Sequence, residues 1–104
     1  MKSGRDVICR ARDLGAAKAY YAGELGFPIV LDTDAMVGFD TGELTLYYER
    51  GEPGPPVFEF FVDDVVKAKS RLIAAGCEMV EEDPSRPRLY VRDRFGLVFN
   101  VAKR

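Results

Sequence analysis

The sequence predicts an α+β fold of two tandem β-α-β-β-β modules within one domain, residues 1–104, and three observations carry that expectation. First, Asp13, Ala17, Tyr21 and Gly26 recur about fifty residues later as Asp64, Ala68, Leu72 and Gly76, the mark of a duplicated supersecondary unit. Second, each copy follows an apolar strand-like run and precedes three more. Third, Gly51-Glu52-Pro53-Gly54-Pro55-Pro56 separates the copies, and its prolines and glycines neither continue a strand nor enter a helix. Module one therefore spans about 5–50, the linker 51–56 and module two about 57–104.

Taken in order, Asp6 to Ala11 alternates as a strand, and Asp13 is placed to cap a helix running to about Leu25. Leu14, Ala17, Tyr21 and Leu25 form its apolar stripe, with Gly26 as left-handed terminator. Phe27–Leu31, Ala35–Phe39 and Leu44–Glu49 read as strands, divided by Asp32-Thr33-Asp34 and Asp40-Thr41-Gly42-Glu43. Val57–Val62 opens module two. Asp64 caps a second helix to about Ala75, with the stripe Val65, Ala68, Leu72 and Ala75 and the terminator Gly76. Glu78–Glu82, Arg88–Arg92 and Leu97–Ala102 complete it, joined by turns at Pro84-Ser85-Arg86-Pro87 and Asp93-Arg94-Phe95-Gly96. One sheet face in each module needs its helix. The opposite faces must meet a partner or form an open concave surface, where a ligand would go.

Composition narrows the function. The chain is 47% hydrophobic and 31% charged, with net charge −2, which is ordinary for a globular domain and gives no electrostatic case for nucleic acid or membrane. No apolar run approaches the roughly 18 residues of a membrane span, and Met1-Lys2-Ser3-Gly4-Arg5-Asp6 lacks the apolar stretch of a signal peptide. A cytoplasmic location is expected. Gly51–Asp83 carries an acidic excess and Pro84–Arg104 a basic one, read as solvated surface on either side of a turn. Cys9 and Cys77 have neither C-x-x-C nor metal-ligand spacing and read as small core residues. Histidine is absent, which removes the commonest general base, the commonest metal ligand and every His-dependent triad.

Asp13-Leu14-Gly15-Ala16-Ala17-Lys18-Ala19-Tyr20-Tyr21 with Leu25-Gly26-Phe27, then Phe61-Val62-Asp63-Asp64 with Ala75-Gly76, and finally Tyr90-Val91-Arg92-Asp93-Arg94-Phe95-Gly96 resemble the vicinal oxygen chelate superfamily. That family includes glyoxalase I, extradiol dioxygenases and the fosfomycin- and bleomycin-resistance proteins. The resemblance implies a curved mixed sheet around a cleft, commonly in a homodimer. In the family's metal enzymes, ligands stand on the first and last strand of each module. Carried over, those positions give Asp6, Tyr47 or its neighbour Thr45, Val57 and Asn100. Val57 cannot ligate, Tyr47 and Thr45 are poor neutral ligands, and Asn100 is a weak carbonyl donor. Only Asp6 is a normal hard-cation ligand. No metal or other cofactor is expected. Asp93 and Gly96 fill the ends of the family's Asp-Pro-Asp-Gly turn, with Arg94 and Phe95 in its middle.

Period-two alternation puts Asp6, Ile8 and Arg10 on one face of the first strand and Val7, Cys9 and Ala11 toward the helix. Arg10 either grips an anionic ligand, as the resemblance to glyoxalase I implies, or pairs with Asp6 or Glu59. Glu59 shares the cleft side of its strand with Val57 and Phe61. It is either a general base with a raised pKa or the partner of Arg10 or Arg88. Tyr90 and Arg88, with Tyr47 on another strand, suit a flat, partly charged organic molecule. Phe58, Phe60, Phe61, Phe99 and Val101 read as core or interface, and Glu81-Glu82-Asp83 as a solvated strand end.

The leading expectation is a small-molecule binding protein that needs no metal, with Asp6, Arg10, Tyr47, Glu59, Arg88, Tyr90 and Asn100 as candidate contacts, acting as a homodimer. The alternatives are a lyase or dioxygenase using Mg or Mn on Asp6, Glu49 and Glu59, and a module that binds another protein on its concave sheet.

Overall fold

A computed structural model describes residues 1–85 and 88–104. Arg86 and Pro87, half of one expected turn, lie outside the described residues. Two compact units form, Arg5–Pro56 and Met1–Gly4 with Val57–Arg104.

The first unit contains β1 (Lys2–Ala11, its first residues grouped with the second unit), α1 (Leu14–Lys18), a π-helical segment (Ala19–Glu24), β2 (Ile29–Asp32), β3 (Met36–Asp40) and β4 (Thr45–Arg50). Asp13 caps α1 as expected, its Oδ1 accepting from the Ala16 amide at 3.1 Å. The expected single α-helix to Leu25 is corrected after one turn. The Leu25 amide donates to the Tyr20 carbonyl at 3.0 Å, five residues back, and this wider turn shifts the apolar stripe. Tyr21 and Ala22 pack on the core made by Leu14, Val37 and Phe39, whereas Leu25 is left 47% exposed. Gly26 ends the segment at φ 78°, a conformation that costs glycine nothing.

Strand order in this unit is β2-β3-β4-β1, with β1 parallel to β4 and the other pairs antiparallel. The second unit repeats it: β5 (Val57–Val62), α2 (Val65–Ala74), β6 (Glu78–Asp83), β7 (Arg88–Arg92) and β8 (Val98–Lys103), in the order β5-β8-β7-β6 with β5 parallel to β8. Asp64 caps α2 through the Lys67 amide at 3.0 Å. Even the irregularities recur, since the edge strands shift register between Ile29 and Leu31 and between Met79 and Glu81. Ala68, Leu89, Val91, Phe99 and Val101 form the second core, with Phe60, Val65 and Leu72 against it. Each such side chain withdrawn from water contributes roughly 1.5–3 kcal/mol before entropy is charged against it. Two expected core positions are exposed: Ala75, at the end of α2, and Phe58, at the start of β5.

Among the described residues, the eight strands and the helical segment after the first strand of each module confirm the α+β fold of two β-α-β-β-β modules. Among the described residues, no helix is long and apolar enough to cross a membrane.

Candidate functional site

Helices cover one face of each module, so the chemistry collects on the other. In module one that face presents three rows across the strands, fixed by register: Asp6 beside Thr45 and Asp40, Ile8 beside Tyr47, Gly38 and Leu31, and Arg10 beside Glu49 and Met36. Arg10 Nε donates to Glu49 Oε1 at 2.9 Å. Glu49 is only 8% exposed, and the Arg10 guanidinium supplies hydrogen bonding that water would otherwise give its carboxylate. The sequence assigned Glu49 a role only in a speculative metal set; its observed work is to hold Arg10. Tyr47 lies over Gly38, whose Cβ, had it one, would be 2.7 Å from the ring.

The opposite side of module one carries a hydroxyl network. The Tyr21 and Tyr48 hydroxyls meet at 2.6 Å, and Cys9 stands beside Tyr48 in register. Burial pushes the Cys9 thiol up, partly offset by Tyr48. Burial, then the bond to Tyr21, push Tyr48 well above the ordinary tyrosine value. Both shifts favour the neutral forms.

In module two the equivalent row is Glu59, Asn100, Tyr90 and Glu81. Asn100 is buried, and its Oδ1 accepts from the Leu89 amide at 2.8 Å, which satisfies a backbone donor near the start of β7. Tyr90 is 3% exposed. Arg88 stacks over its ring at 4.8 Å and donates to Glu81 Oε1 at 3.2 Å. Glu59 lies against Gly4, with Oε1 3.1 Å from where a Cβ there would be. Part of the opposed charge of this module meets across β6 and β7, where Arg88 pairs with Glu81 and Arg92 with Glu78 at 3.1 Å. Glu82 pairs with Lys69 of α2 at 2.8 Å, so Glu81 and Glu82 are ion-pair partners rather than a merely solvated strand end.

Register also tests the carried-over metal set. Asp6 pairs with Thr45, and Tyr47 stands one row further along beside Ile8, so the two are not opposed. Glu59, not Val57, stands beside Asn100. Asp6 is four residues along β1 from the neighbour of Glu49, about 13 Å of strand, too far for both carboxylates to share an ion. Among the described residues no three His, Cys, Asp or Glu side chains come together as a metal site. The donor set does not fit the metal of the family's enzymes.

The sequence reading missed Glu81 as the partner of Arg88, and it missed Gly38. For Gly38 a signal existed: a glycine inside a strand pattern marks a close approach.

No curated protein matches the chain in sequence. Solved structures do match its fold. A glyoxalase/bleomycin resistance protein/dioxygenase superfamily member from Vibrio splendidus 12B01 is 16% identical with a TM-score of 0.71, over 99% of this chain and 100% of that one. A hypothetical protein from Bacillus halodurans C-125 is 11% identical with a TM-score of 0.70, over 95% and 91%. Homoprotocatechuate 2,3-dioxygenase from Brevibacterium fuscum is 17% identical with a TM-score of 0.66, over 98% of this chain but 37% of its own. The sequence profile of the Glyoxalase/Bleomycin resistance protein/Dioxygenase superfamily matches residues 6–101. With that match over nearly its whole length and the duplicated β-α-β-β-β units beneath it, the chain belongs to the Glyoxalase/Bleomycin resistance protein/Dioxygenase superfamily.

Proposed function

We propose that this protein binds a small organic molecule on its helix-free sheet faces and does so without a metal ion. The observation that carries this reading is the donor chemistry. In the equivalent rows of the two modules stand Ile8 with Tyr47 and Glu59 with Asn100, and the amide oxygen of Asn100 already accepts from a backbone amide. Arg10, Tyr47, Arg88 and Glu59 instead offer aromatic surface and charge, with the buried Tyr90 supporting Arg88 from beneath, which suits recognition of a flat, partly charged ligand. The protein then sequesters its ligand rather than transforming it. Asp6, in the row of Thr45 and Asp40, would be a further contact on the module-one face.

A homodimer and a cytoplasmic location complete the proposal. The exposed Ile29 and Val30 on edge strand β2 and Val80 on β6 are apolar surface that a second copy would cover. Light scattering should give twice the chain mass, and monomer alone at high concentration would refute the dimer.

The binding reading is tested by a thermal-shift screen of the chelator-treated protein against aromatic acids, glycopeptide antibiotics and thiol conjugates. A ligand that binds only the folded state raises the melting temperature by mass action. The expected result is a hit whose shift is unchanged by added Zn, Fe, Ni, Mn or Mg. A hit that requires one of these ions refutes metal independence.

A further inference from the structure

Seven of the ten glycines of this chain fall into two kinds. Gly26, Gly42, Gly76 and Gly96 adopt positive φ, and a Cβ added to any of them would meet nothing within 4 Å. These are conformational glycines, used for turns. Gly4, Gly38 and Gly51 are the opposite: none has positive φ, and each would place a Cβ against a side chain. At Gly38 it would stand 2.7 and 2.9 Å from the Tyr47 ring and 3.2 Å from the Leu31 Cβ. At Gly51 it would stand 3.0 Å from Cδ of Arg10, and at Gly4 2.7 Å from the Phe61 ring and 3.1 Å from Glu59 Oε1. Backbone freedom does not account for these three, and contact does.

We propose that Gly4, Gly38 and Gly51 are positioning residues of the binding faces, each giving up a side chain so that a neighbouring residue of the face lies down along the sheet instead of standing off it. The inference rests on the binding reading above. A strand side chain ordinarily stands roughly perpendicular to its sheet. Tyr47 instead reaches across to β3, because the position beside it in register is Gly38. The effect is to set the height and tilt of the ring, and with it the shape that a ligand meets. Gly51 does the same for the stem of Arg10, whose head is fixed by Glu49. Gly4 does it for Phe61 and Glu59. The repeat supports the assignment: the module-two position equivalent to Gly38 is Tyr90, and the one equivalent to Tyr47 is the smaller Asn100. Where the neighbouring strand carries a ring, the last strand does not.

The experiment compares Gly38→Ala, Gly51→Ala and the double variant Gly38→Ala/Tyr47→Leu with the parent protein. Gly54→Ala, in open space, is the control. Two quantities are read: NMR shifts of the Tyr47 ring and the Leu31 methyl groups, and affinity for 2-naphthoate, a flat aromatic anion. Gly38→Ala should move both sets of resonances and weaken 2-naphthoate binding by about threefold to tenfold, the worth of a misplaced aromatic contact. The double variant should recover the melting temperature lost in Gly38→Ala, because the clash partner is gone. Gly51→Ala, opposed only by a flexible arginine stem, keeps the fold and should shift the Arg10 Nε–H resonance, and Gly54→Ala should change nothing. Unmoved Tyr47 and Leu31 resonances in Gly38→Ala overturn the proposal, as does a loss of stability with unchanged affinity. If the parent protein binds no 2-naphthoate, that ligand is excluded from the binding reading, and the resonances alone decide the positioning claim.

Discussion

Modules one and two share every device that builds a β-α-β-β-β unit and differ in what they do with the exposed side of it. Both cap the helix with aspartate, run the first strand parallel to the last, and bulge the edge strand at the same place. Yet Tyr47 over Gly38 in one becomes Asn100 beside Tyr90 in the other, and the charge pairs run β1 to β4 in one and β6 to β7 in the other. The cores differ in kind as well. Module one has the bonded hydroxyls of Tyr21 and Tyr48 with Cys9 beside them in register, where module two has Phe60, Leu72 and Val101. Caps, strand pairing and the edge bulge are what the two modules share. The side chains on both faces of the sheet are where they differ in chemistry.

The largest test of this contrast lies in the cores. Phe39 is fully buried in the smaller core of module one, and Phe39→Ala should cost about 3–5 kcal/mol in urea denaturation. A cost under about 1 kcal/mol would mean that module one contributes little to the common stability. Next comes Asn100→Ala, which strips a buried backbone amide of its acceptor and should cost about 1–3 kcal/mol. Tyr47→Phe at the equivalent site of module one, where the ring rather than the hydroxyl fills the space over Gly38, should cost less than half as much. Equal losses would erase the distinction between a structural amide and a surface ring.

A smaller effect is expected from the ion pairs. A double-mutant cycle on Arg10 and Glu49 should give a larger coupling than one on Arg92 and Glu78, because Glu49 is buried and the second pair is exposed. The exposed pair should be worth about 0.2–1 kcal/mol and should fade with salt. The subtlest test is alkaline. Folding raises the pKa of Cys9 from 9.0 and of Tyr48 from 10.0. The stability each contributes is therefore complete below those values and is lost as pH rises toward the folded-state pKa, since the unfolded chain releases its protons first. The melting temperature should fall above about pH 9, and less steeply in Tyr48→Phe. An unchanged slope in that variant would place the titration elsewhere.

Much of the scaffold is legible in the residues. Asp13 and Asp64 announce the helix starts, Gly26 and Gly76 their ends, and strand alternation puts Arg10, Glu59, Arg88 and Tyr90 on the helix-free side. The π-helical turn is not legible, because bonding five residues back instead of four leaves no mark in composition, and so Leu25 was wrongly assigned to the stripe. Nor are the partners. Period two names the face of a side chain but not its row, and it took register to give Arg10 to Glu49, Arg88 to Glu81 and Asn100 to the Leu89 amide. The same lack of register let a metal set be assembled from rows that do not meet.

Metal-free recognition is tested most directly by isothermal titration of a ligand found in the screen into protein stripped by chelator, with the metal content of the same sample measured. The expected result is binding of unchanged affinity in stripped and metal-supplemented protein, with well under one transition-metal ion per chain. One tightly held Zn, Fe, Ni or Mn ion per chain, or binding that vanishes on stripping and returns with the ion, would contradict it.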